Sequence, residues 1–582
     1  MSKHPLTETI PTHLQPFIVK QDATHYTAID QASWRFILRI SSHFFTKTAH
    51  QKYLDGLKET GISMERIPLI SEMDKCLRRF GWRAVAVSGF IPPTVFMEFQ
   101  SLGILPIACD MRTLEHLTYT PAPDIVHEAA GHAPIIADPD YASYLRNYGQ
   151  VSRRAISSKE DLAVYRAIRH LSEIKEKTNS TTEEVASAEK NLLIASESVT
   201  QISEAASLAR MNWWTVEYGL IGSLQTPRIY GAGLLSSVAE SFHCLRPEIK
   251  KIPFSIDCLN YGYDITRPQP HLFVTPDFET LSEVLEEFTQ IMSFRVGGEL
   301  GISKAIQAGS VCTVEMDSGV QISGVVSEIR TQVPLGPYFL KFEGACQISY
   351  RDVEIENQGT ATHSKGFSAP MGNLTALRKS PADLTASELA QLGFRPGHLG
   401  NLEFESGIRV TGSLIKNVSR DSKNLVLTFD RCTIMLKDQT LYRPEWGPFD
   451  LACGSKVISV FGGAADRTAY LSATGGLKTH PDTQKTNLTA ENNDLNLLYL
   501  KIGKLREKSE WGPASQQLLL ETFATIEKDY PHDWLLSIEL LELAALHPHQ
   551  NSWQARAQAR LETLSLKSPE ISETISRGIE LL

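Results

Sequence analysis

Two stretches of this chain repeat one another 88 residues apart, and that repeat limits the possible folds more than any other feature. VEMDSGVQISGVVSEI (314–329) returns as LEFESGIRVTGSLIKNV (402–418), and YFLKFEGACQISYRD (338–352) returns as LVLTFDRCTIMLKD (425–438). Ser318-Gly319 and Gly324 precede Ser406-Gly407 and Gly412 by those 88 residues, and Cys346 and Cys432 hold equivalent places. From about 306 to 475 the apolar pattern has a period of two, with β-branched residues and Gly turns. The expectation is a duplicated small β domain, either two copies of a small β-barrel or a pseudo-symmetric pair of sheets, with the cysteine filling a small core slot twice. No His, Cys or carboxylate cluster falls in it, so interaction, regulation and a purely structural appendage are its three readings.

The rest of the 582 residues leaves room for further domains, at roughly one per 150 residues. Residues 15–305 mix helical periods with Pro-rich turns. Inside them, 157–208 is nearly free of Gly and Pro. Leu162, Tyr165, Ile168, Leu171 and Ile174 lead to a polar break at Thr178-Asn179-Ser180; then Val185, Ala188, Leu192, Ala195, Val199, Ile202 and Ala206 alternate spacings of three and four. A helical hairpin packing as a two-helix arm is expected, with a partner-binding coiled coil as the alternative. The polar stretch 476–494 reads as a linker, and 495–582 as four or five short amphipathic helices, with Asp533 and Ser552 as N-caps.

Composition removes several functional classes. Lys plus Arg number 57 against 67 Asp plus Glu, a net charge of −10, which argues against binding nucleic acid or an anionic membrane. No apolar run nears the 18 or so residues of a spanning helix, and MSKHPLTETIPTH has no signal-peptide core, so a soluble cytoplasmic protein is expected. The eight cysteines include no CxxC pair, which disfavours both a disulfide framework and a sulfur-ligated zinc site. Any metal should therefore have His and carboxylate ligands.

TPAPDIVHEAAGHAP (120–134) supplies such ligands. Zinc proteases place histidines at i and i+4 on one helix face, with Glu beside the first. Here His127 and His132 are five apart, about 140° around an ideal α-helix. They can share a metal only if the helix ends between them, and Gly131 and Pro134 are the residues expected to end it. Glu217, in the aromatic segment NWWTVEYGL (212–220), is costly to bury without a partner. It would complete a two-His-one-carboxylate set, which leaves positions open on Fe(II) for O2.

Together PDIVHEAAGHAP, TVEYGL and YGAGLLSSVAES (230–241) resemble the pterin-dependent aromatic amino acid hydroxylases, from about Phe17 to Gly297-Gly298, roughly half the chain. The resemblance implies a mainly α catalytic domain over residues 15–305, with 157–208 inserted. With the duplicated β region 306–475 and the helical region 495–582 read from their own patterns, the expected protein is multidomain. It implies hydroxylation of a free aromatic amino acid with O2, non-haem Fe(II) and tetrahydrobiopterin or a related reduced pterin. Carried over, His127, His132 and Glu217 match the iron ligands. Arg112 matches the grip on the substrate carboxylate, with Asp124 supporting it. Pro123 and Trp213 match walls of the substrate pocket; Thr120, Gly233 and Ser236 match substrate-side and supporting positions. Gly89, Phe90 and Ile91 match the pterin loop and Phe96 its stacking platform. Glu128 and Tyr230 match a carboxylate near the pterin and a tyrosine lining the iron pocket.

Trp213 and Val274 stand where tryptophan- and tyrosine-hydroxylating members differ, which favours phenylalanine as substrate. Three departures stand out. The interval from His132 to Glu217 is lengthened by the hairpin, Asn212 replaces a frequent aromatic, and the C-terminal half leaves a protein partner or self-association open. The rival readings are a zinc hydrolase with Glu128 as general base and a non-catalytic scaffold keeping a relic domain.

Overall fold

The computed structural model describes residues 9–118, 123–176, 180–265, 267–475, 493–508, 511–547, 552–567 and 569–582. Thr120 and nearly all of the expected linker 476–494 lie outside the described residues. No helix among the described residues is long and apolar enough to cross a membrane. All eight cysteines are free thiols, seven of them buried.

Thr27 starts the 21-residue helix Ala28–Thr48. Its hydroxyl accepts from Asp30 N, and the Asp30 carboxylate accepts from Thr27 N, a reciprocal cap that satisfies two of the first turn's free donors. Trp34, Phe36, Ile37, Leu38 and Ile40 are all buried, because two layers cover this helix. One is the N-terminal region itself. The other is the C-terminal set Asn493–Arg506, Pro513–Asp529, Leu535–Leu546, Ser552–Lys567 and Pro569–Glu580. The helices expected at 495–582 therefore share a core with the first 300 residues instead of closing one of their own. Leu535–Leu546 is buried on every side rather than on one face, from Leu535 through Leu541 and again at Leu543 and Ala544. Asp533 Oδ1 caps it through Leu536 N at 3.0 Å.

In the first region, β1 (Arg83–Val87) and β2 (Ile104–Ala108) pair in parallel across the helix Pro93–Ser101. Strands β3 (Leu220–Gly222), β4 (Pro227–Ile229), β5 (Lys250–Pro253) and β6 (His271–Thr275) form a sheet in the order β4-β3-β6-β5. The hairpin comprises Lys159–Glu176 and Thr182–Glu197, joined over Leu171, Ile174 and Ala188. The run from Val185 to Ala206 is not one helix. It stops at Ser198 and restarts at Glu204 under a Ser203 cap, leaving Val199 and Ile202 in the break.

Beyond Ala308 come β7 (Val311–Met316), β8 (Val320–Gln332), β9 (Gly336–Tyr350), β10 (Val353–Glu354) and β11 (Gly366–Pro370). They are followed by β12 (Gly400–Glu403), β13 (Ile408–Arg420), β14 (Lys423–Leu436), β15 (Gln439–Tyr442), β16 (Phe449–Ala452) and β17 (Val457–Gly462). The first five and β17 make one sheet, and β12 to β16 a second. The two are wired alike: β11 pairs with Phe339–Glu343 of β9, and β16 with Val426–Phe429 of β14. The β8–β9 ladder shifts register between Ser323 and Val325, Val326 and Glu328, and Arg330 and Thr331. The β13–β14 ladder shifts between Thr411 and Ser413, Leu414 and Lys416, and Val418 and Ser419, each 88 residues on. Such irregularities bend a strand and increase its twist, which lets a long strand wrap its own core. Cys346 and Cys432 are fully buried against glycines. A Cβ on Gly324 would lie 2.8 Å from Cys346 Sγ, and one on Gly412 would lie 3.4 Å from Cys432 Cα.

The boundary expected at 305 falls inside the helix Gly298–Ala308, whose Ile302, Ala305 and Ala308 belong to the β core. The helical period continues there while the apolar face already serves the sheet.

Arg467, at the start of the helix that follows β17, ties this half to the Pro93–Ser101 helix. Its Nη1 donates to Glu98 Oε2 at 2.7 Å, and His13 Nε2 lies 3.1 Å from the same oxygen. Burial alone would raise the Glu98 carboxyl, but His13 and Arg467 hold it down at about 2. A folded-state value below the unfolded one stabilises the protein above the unfolded value, near 4.3, and this stabilisation is lost as pH falls toward 2. Glu98→Gln should therefore lower stability by about 3 kcal/mol at pH 7 and by about half that at pH 3. Urea midpoints of both proteins at the two pH values test this, and an equal gap at both would refute the linkage.

Candidate metal centre

Asp124 organises the start of the site. Its Oδ1 accepts from His127 N at 3.0 Å, and its carboxylate takes Arg112 Nε at 2.7 Å and Nη2 at 2.8 Å. From Val126 to His132 the chain is neither an α-helix nor a helix broken between its histidines. It winds as a π-helix, whose i→i+5 hydrogen bonds make a wider turn and bring residues five apart onto one face. Gly131 and Pro134 thus do not end the helix as expected, because the chain runs on into a 3-10 turn at Ala133–Ala137. Gly131 serves close packing instead, since a Cβ there would lie 2.7 Å from the Ala232 carbonyl oxygen.

Glu217 ends a second π-helical turn, Trp213–Glu217. Its Oε2 lies 3.4 Å from His127 Nε2 and its Oε1 3.4 Å from His132 Nε2, while the two Nε2 atoms are 3.2 Å apart. The two Nε2 atoms and the two oxygens of this one carboxylate thus face one another at 3.2–3.4 Å. Burial pushes the His127 imidazole down to about 3, with the Arg112 charge adding to the effect, and holds His132 well below its usual range. Both rings are neutral at pH 7.

The Ser236 hydroxyl settles which nitrogen of His127 is bare. It donates to the Ala232 carbonyl at 2.8 Å, so toward His127 Nδ1, 3.0 Å away, its oxygen accepts. The proton therefore sits on Nδ1 and the Nε2 lone pair faces Glu217. Burial raises the Glu217 carboxyl to about 8, against hydrogen bonds from Asn212 and the Gly233 backbone. A buried carboxyl facing the Nε2 atoms of two neutral imidazoles is an environment in which a bound divalent cation would favour the ionised carboxylate. The donor set suits Fe(II), since two histidines and one carboxylate would leave coordination positions on the metal free for further ligands.

A second carboxylate, Glu128, has Oε2 buried without a hydrogen-bond partner, 3.9 Å from His132 Nε2. Burial, and then the charges of Glu217 and Asp124, raise it well above the usual range. Glu217 is the better metal donor because it lies closer and reaches both rings. Glu128 offers an unused polar atom to a bound molecule.

The other expected residues distribute unevenly. Arg112 is sealed, with its side chain 1% exposed, and also donates from Nη1 to the carbonyls of Ser236 at 3.1 Å and Leu117 at 3.5 Å. Pro123 is half-buried next to Asp124. Trp213 is stacked between Tyr218 and Tyr263, ring centroids 4.5 and 4.4 Å away, so both its faces are covered. Gly233, expected on the substrate side, supports Glu217 through its backbone instead, and a Cβ there would lie 3.0 Å from the Glu217 carbonyl oxygen. Tyr230 sits in an aromatic core, edge-on to Tyr141 and Phe278. Val274 pairs with Leu220 in the sheet that follows Glu217.

On the other side of the histidines, the Phe96 ring lies 6.4 Å from that of His132. Gly89 has a left-handed φ of 63° and donates its N–H to Asp110 Oδ2 at 3.1 Å. Ile91 packs on the cluster of Val85, Val87 and Phe99, and Phe90 stacks on Tyr165.

Two contributors escaped sequence reasoning. Asn212 reads as a gap in an aromatic wall, yet its Nδ2 lies 3.5 Å from Glu217 Oε1. Tyr263 lies in an aperiodic loop, where only the paired aromatics of Tyr261-Gly262-Tyr263 hint at a role.

Residues 19–165 and 181–330, just over half the chain, match the model of the biopterin-dependent aromatic amino acid hydroxylases. The phenylalanine-4-hydroxylase of Pseudomonas aeruginosa is 30% identical over 265 residues, covering 45% of this chain and 84% of its own. That of Ralstonia nicotianae is 29% identical over 279 residues, 47% of this chain and 75% of its own. The crystal structure of the Chromobacterium violaceum phenylalanine hydroxylase, with bound iron(III) and 7,8-dihydrobiopterin, is 26% identical. It covers 47% of this chain and 86% of its own, with a TM-score of 0.38.

Proposed function

Because this chain belongs to the biopterin-dependent aromatic amino acid hydroxylases, we propose that it converts phenylalanine to tyrosine at the centre formed by His127, His132 and Glu217. The observation that carries this reading is the approach of the Nε2 atoms of two neutral imidazoles and one carboxylate to within 3.2–3.4 Å of one another. Fe(II) held there and a reduced pterin at Gly89, Phe90, Ile91 and Phe96 supply, when bound, the electrons and the oxidising power that put one atom of O2 on the ring.

The protein's part is positioning. Ser236 fixes the tautomer of His127, and Asn212 and Gly233 fix Glu217. Asp124 holds the Arg112 guanidinium by its Nε–Nη2 edge. The longest of the Arg112 bonds, 3.5 Å to the Leu117 carbonyl, is the one a substrate carboxylate would displace, giving a charge-assisted contact in its place. Trp213, held rigid between two tyrosines, offers its edge to the substrate ring. The buried, unpartnered Glu128 carboxyl, raised above its usual range, could donate to a ring nitrogen or oxygen of a bound pterin.

The family assignment, and not the ligand set, disfavours the zinc-hydrolase alternative, because two histidines and a glutamate also hold catalytic zinc. Free thiols throughout the chain suit a cytoplasmic enzyme. The matching strand wiring and 88-residue spacing of the ladder shifts support reading β7–β11 and β12–β16 as two copies of one unit, with protein binding or self-association as their role.

Incubating Fe(II)-loaded protein with tetrahydrobiopterin, O2 and equimolar phenylalanine, tyrosine and tryptophan tests the reaction. Tyrosine should accumulate from phenylalanine. Protein that purifies with stoichiometric zinc and shows no pterin-dependent O2 uptake when reloaded with Fe(II) would sink the reading.

A further inference from the structure

The segment read as the pterin loop is pinned at three points, and one pin comes from outside the first region's own sheet and helices. Asp110 Oδ2 accepts from Gly89 N at 3.1 Å and from the Ser88 hydroxyl at 3.3 Å, fixing the entry to the loop. Glu98, gripped by His13 and Arg467, anchors the helix that carries Phe96. Between them, Tyr165 of the 157–208 hairpin donates its hydroxyl to the Phe90 carbonyl at 3.1 Å. The two rings also lie nearly parallel, 25° apart with centroids 5.6 Å from each other.

The hairpin has the rigidity to hold such a contact. Its base is fastened by Asp161, which accepts from Ser158 N at 2.7 Å and from the Ser203 hydroxyl at 2.6 Å. Ser310 donates to the Ser157 carbonyl at 2.5 Å, tying the same base to the start of the β region. Its two helices close over Leu171, Ile174 and Ala188. Burial raises the Tyr165 hydroxyl above its usual range, so it stays protonated and able to donate. The inserted arm thus meets the catalytic region at the Phe90 carbonyl, between the Asp110 pin and the Phe96 helix.

We propose that Tyr165 is a positioning residue for the pterin, holding the backbone and ring of Phe90 so that Gly89–Ile91 present a fixed surface to the heterocycle. This rests on the reading of residues 89–91 as the pterin loop. A loop held in its bound conformation binds more tightly because less ordering remains to be done on binding.

The test uses the full-length Fe(II) protein with 7,8-dihydrobiopterin, whose affinity is read by calorimetry without turnover. KM values for tetrahydrobiopterin and for phenylalanine are measured in parallel. Tyr165→Phe, which loses one hydrogen bond and keeps the ring, should weaken dihydrobiopterin binding about threefold to tenfold. Tyr165→Ala should weaken it by more than about tenfold. In both variants KM for the pterin should rise while KM for phenylalanine stays the same, and the amides of 88–91 should exchange hydrogen faster. If wild-type protein binds dihydrobiopterin and Tyr165→Phe and Tyr165→Ala bind it equally well, only the role of Tyr165 is overturned. If wild-type protein takes up no dihydrobiopterin, the pterin-loop reading falls, and the proposal with it.

Discussion

His132→Ala should reduce Fe(II) affinity by more than about a hundredfold and abolish tyrosine formation. Changing a residue that merely orients a metal ligand typically costs 10- to 100-fold, and this change removes a donor itself. Ser236→Ala provides the internal scale. It deletes only the acceptor for His127 Nδ1–H, so it should reduce metal affinity by about 10- to 100-fold and leave measurable turnover. Glu128→Gln should leave iron content unchanged, because Glu128 stands 3.9 Å from His132 Nε2 and Glu217 supplies the carboxylate. Iron content, measured after dialysis against a graded series of chelator concentrations, ranks the three variants. Unchanged melting temperatures separate ligand loss from unfolding, a needed control because His132 is buried. A His132→Ala protein that keeps its iron would falsify the assignment of this residue, and loss of iron from Glu128→Gln would move the carboxylate role away from Glu217.

Much of this centre is legible in the sequence because its chemistry is local. His127, Glu128 and His132 fall within six residues, and Glu217 stands out as a carboxylate in an aromatic run. What misleads is the backbone. Sequence patterns are judged against 3.6 residues per turn, so a pair five apart looks as though it needs a break. The wider π turn has no comparable signature, and Gly131 is open to being read as a terminator when its real constraint is the carbonyl of Ala232. Contacts between distant segments leave still less trace. Tyr165 looks like one more apolar position on an amphipathic helix, and nothing near it points to Phe90, 75 residues earlier. The duplicated pattern at 314–438 is visible because alternation has a strict period of two. The helix Gly298–Ala308 is not visible as part of that region, because its periodicity matches the helices before it.

The second large effect is expected where the two ends of the chain meet. The Ala28–Thr48 helix and most of the C-terminal helices carry an apolar face, and Leu535–Leu546 is apolar all round, but the sequence does not say that they cover each other. The structure joins them through charge as well as apolar contact. Arg35 Nε and Nη2 donate to Glu539 at 3.1 and 2.9 Å, with both side chains less than a tenth exposed. Arg506 adds a bond to Glu539 at 3.1 Å and one to Glu542 at 2.9 Å, and Arg39 also pairs with Glu542. Phe36 meets Trp534 edge-on beside them, centroids 5.0 Å apart. Glu539→Ala removes the only carboxylate bonded to Arg35 among the described contacts and leaves a guanidinium buried without its counter-charge. Breaking a buried pair from one side costs about 3–5 kcal/mol. Replacing both partners with apolar residues of similar volume is often close to neutral, because neither charge then has to be desolvated. The variant Arg35→Met/Glu539→Leu should therefore recover most of what Glu539→Ala loses, as measured by urea denaturation at pH 7. If the single variant loses less than about 1 kcal/mol, the range of an exposed ion pair, the contact between the two ends is open to water. The C-terminal helices would then be a loosely docked appendage and not part of the catalytic region's core.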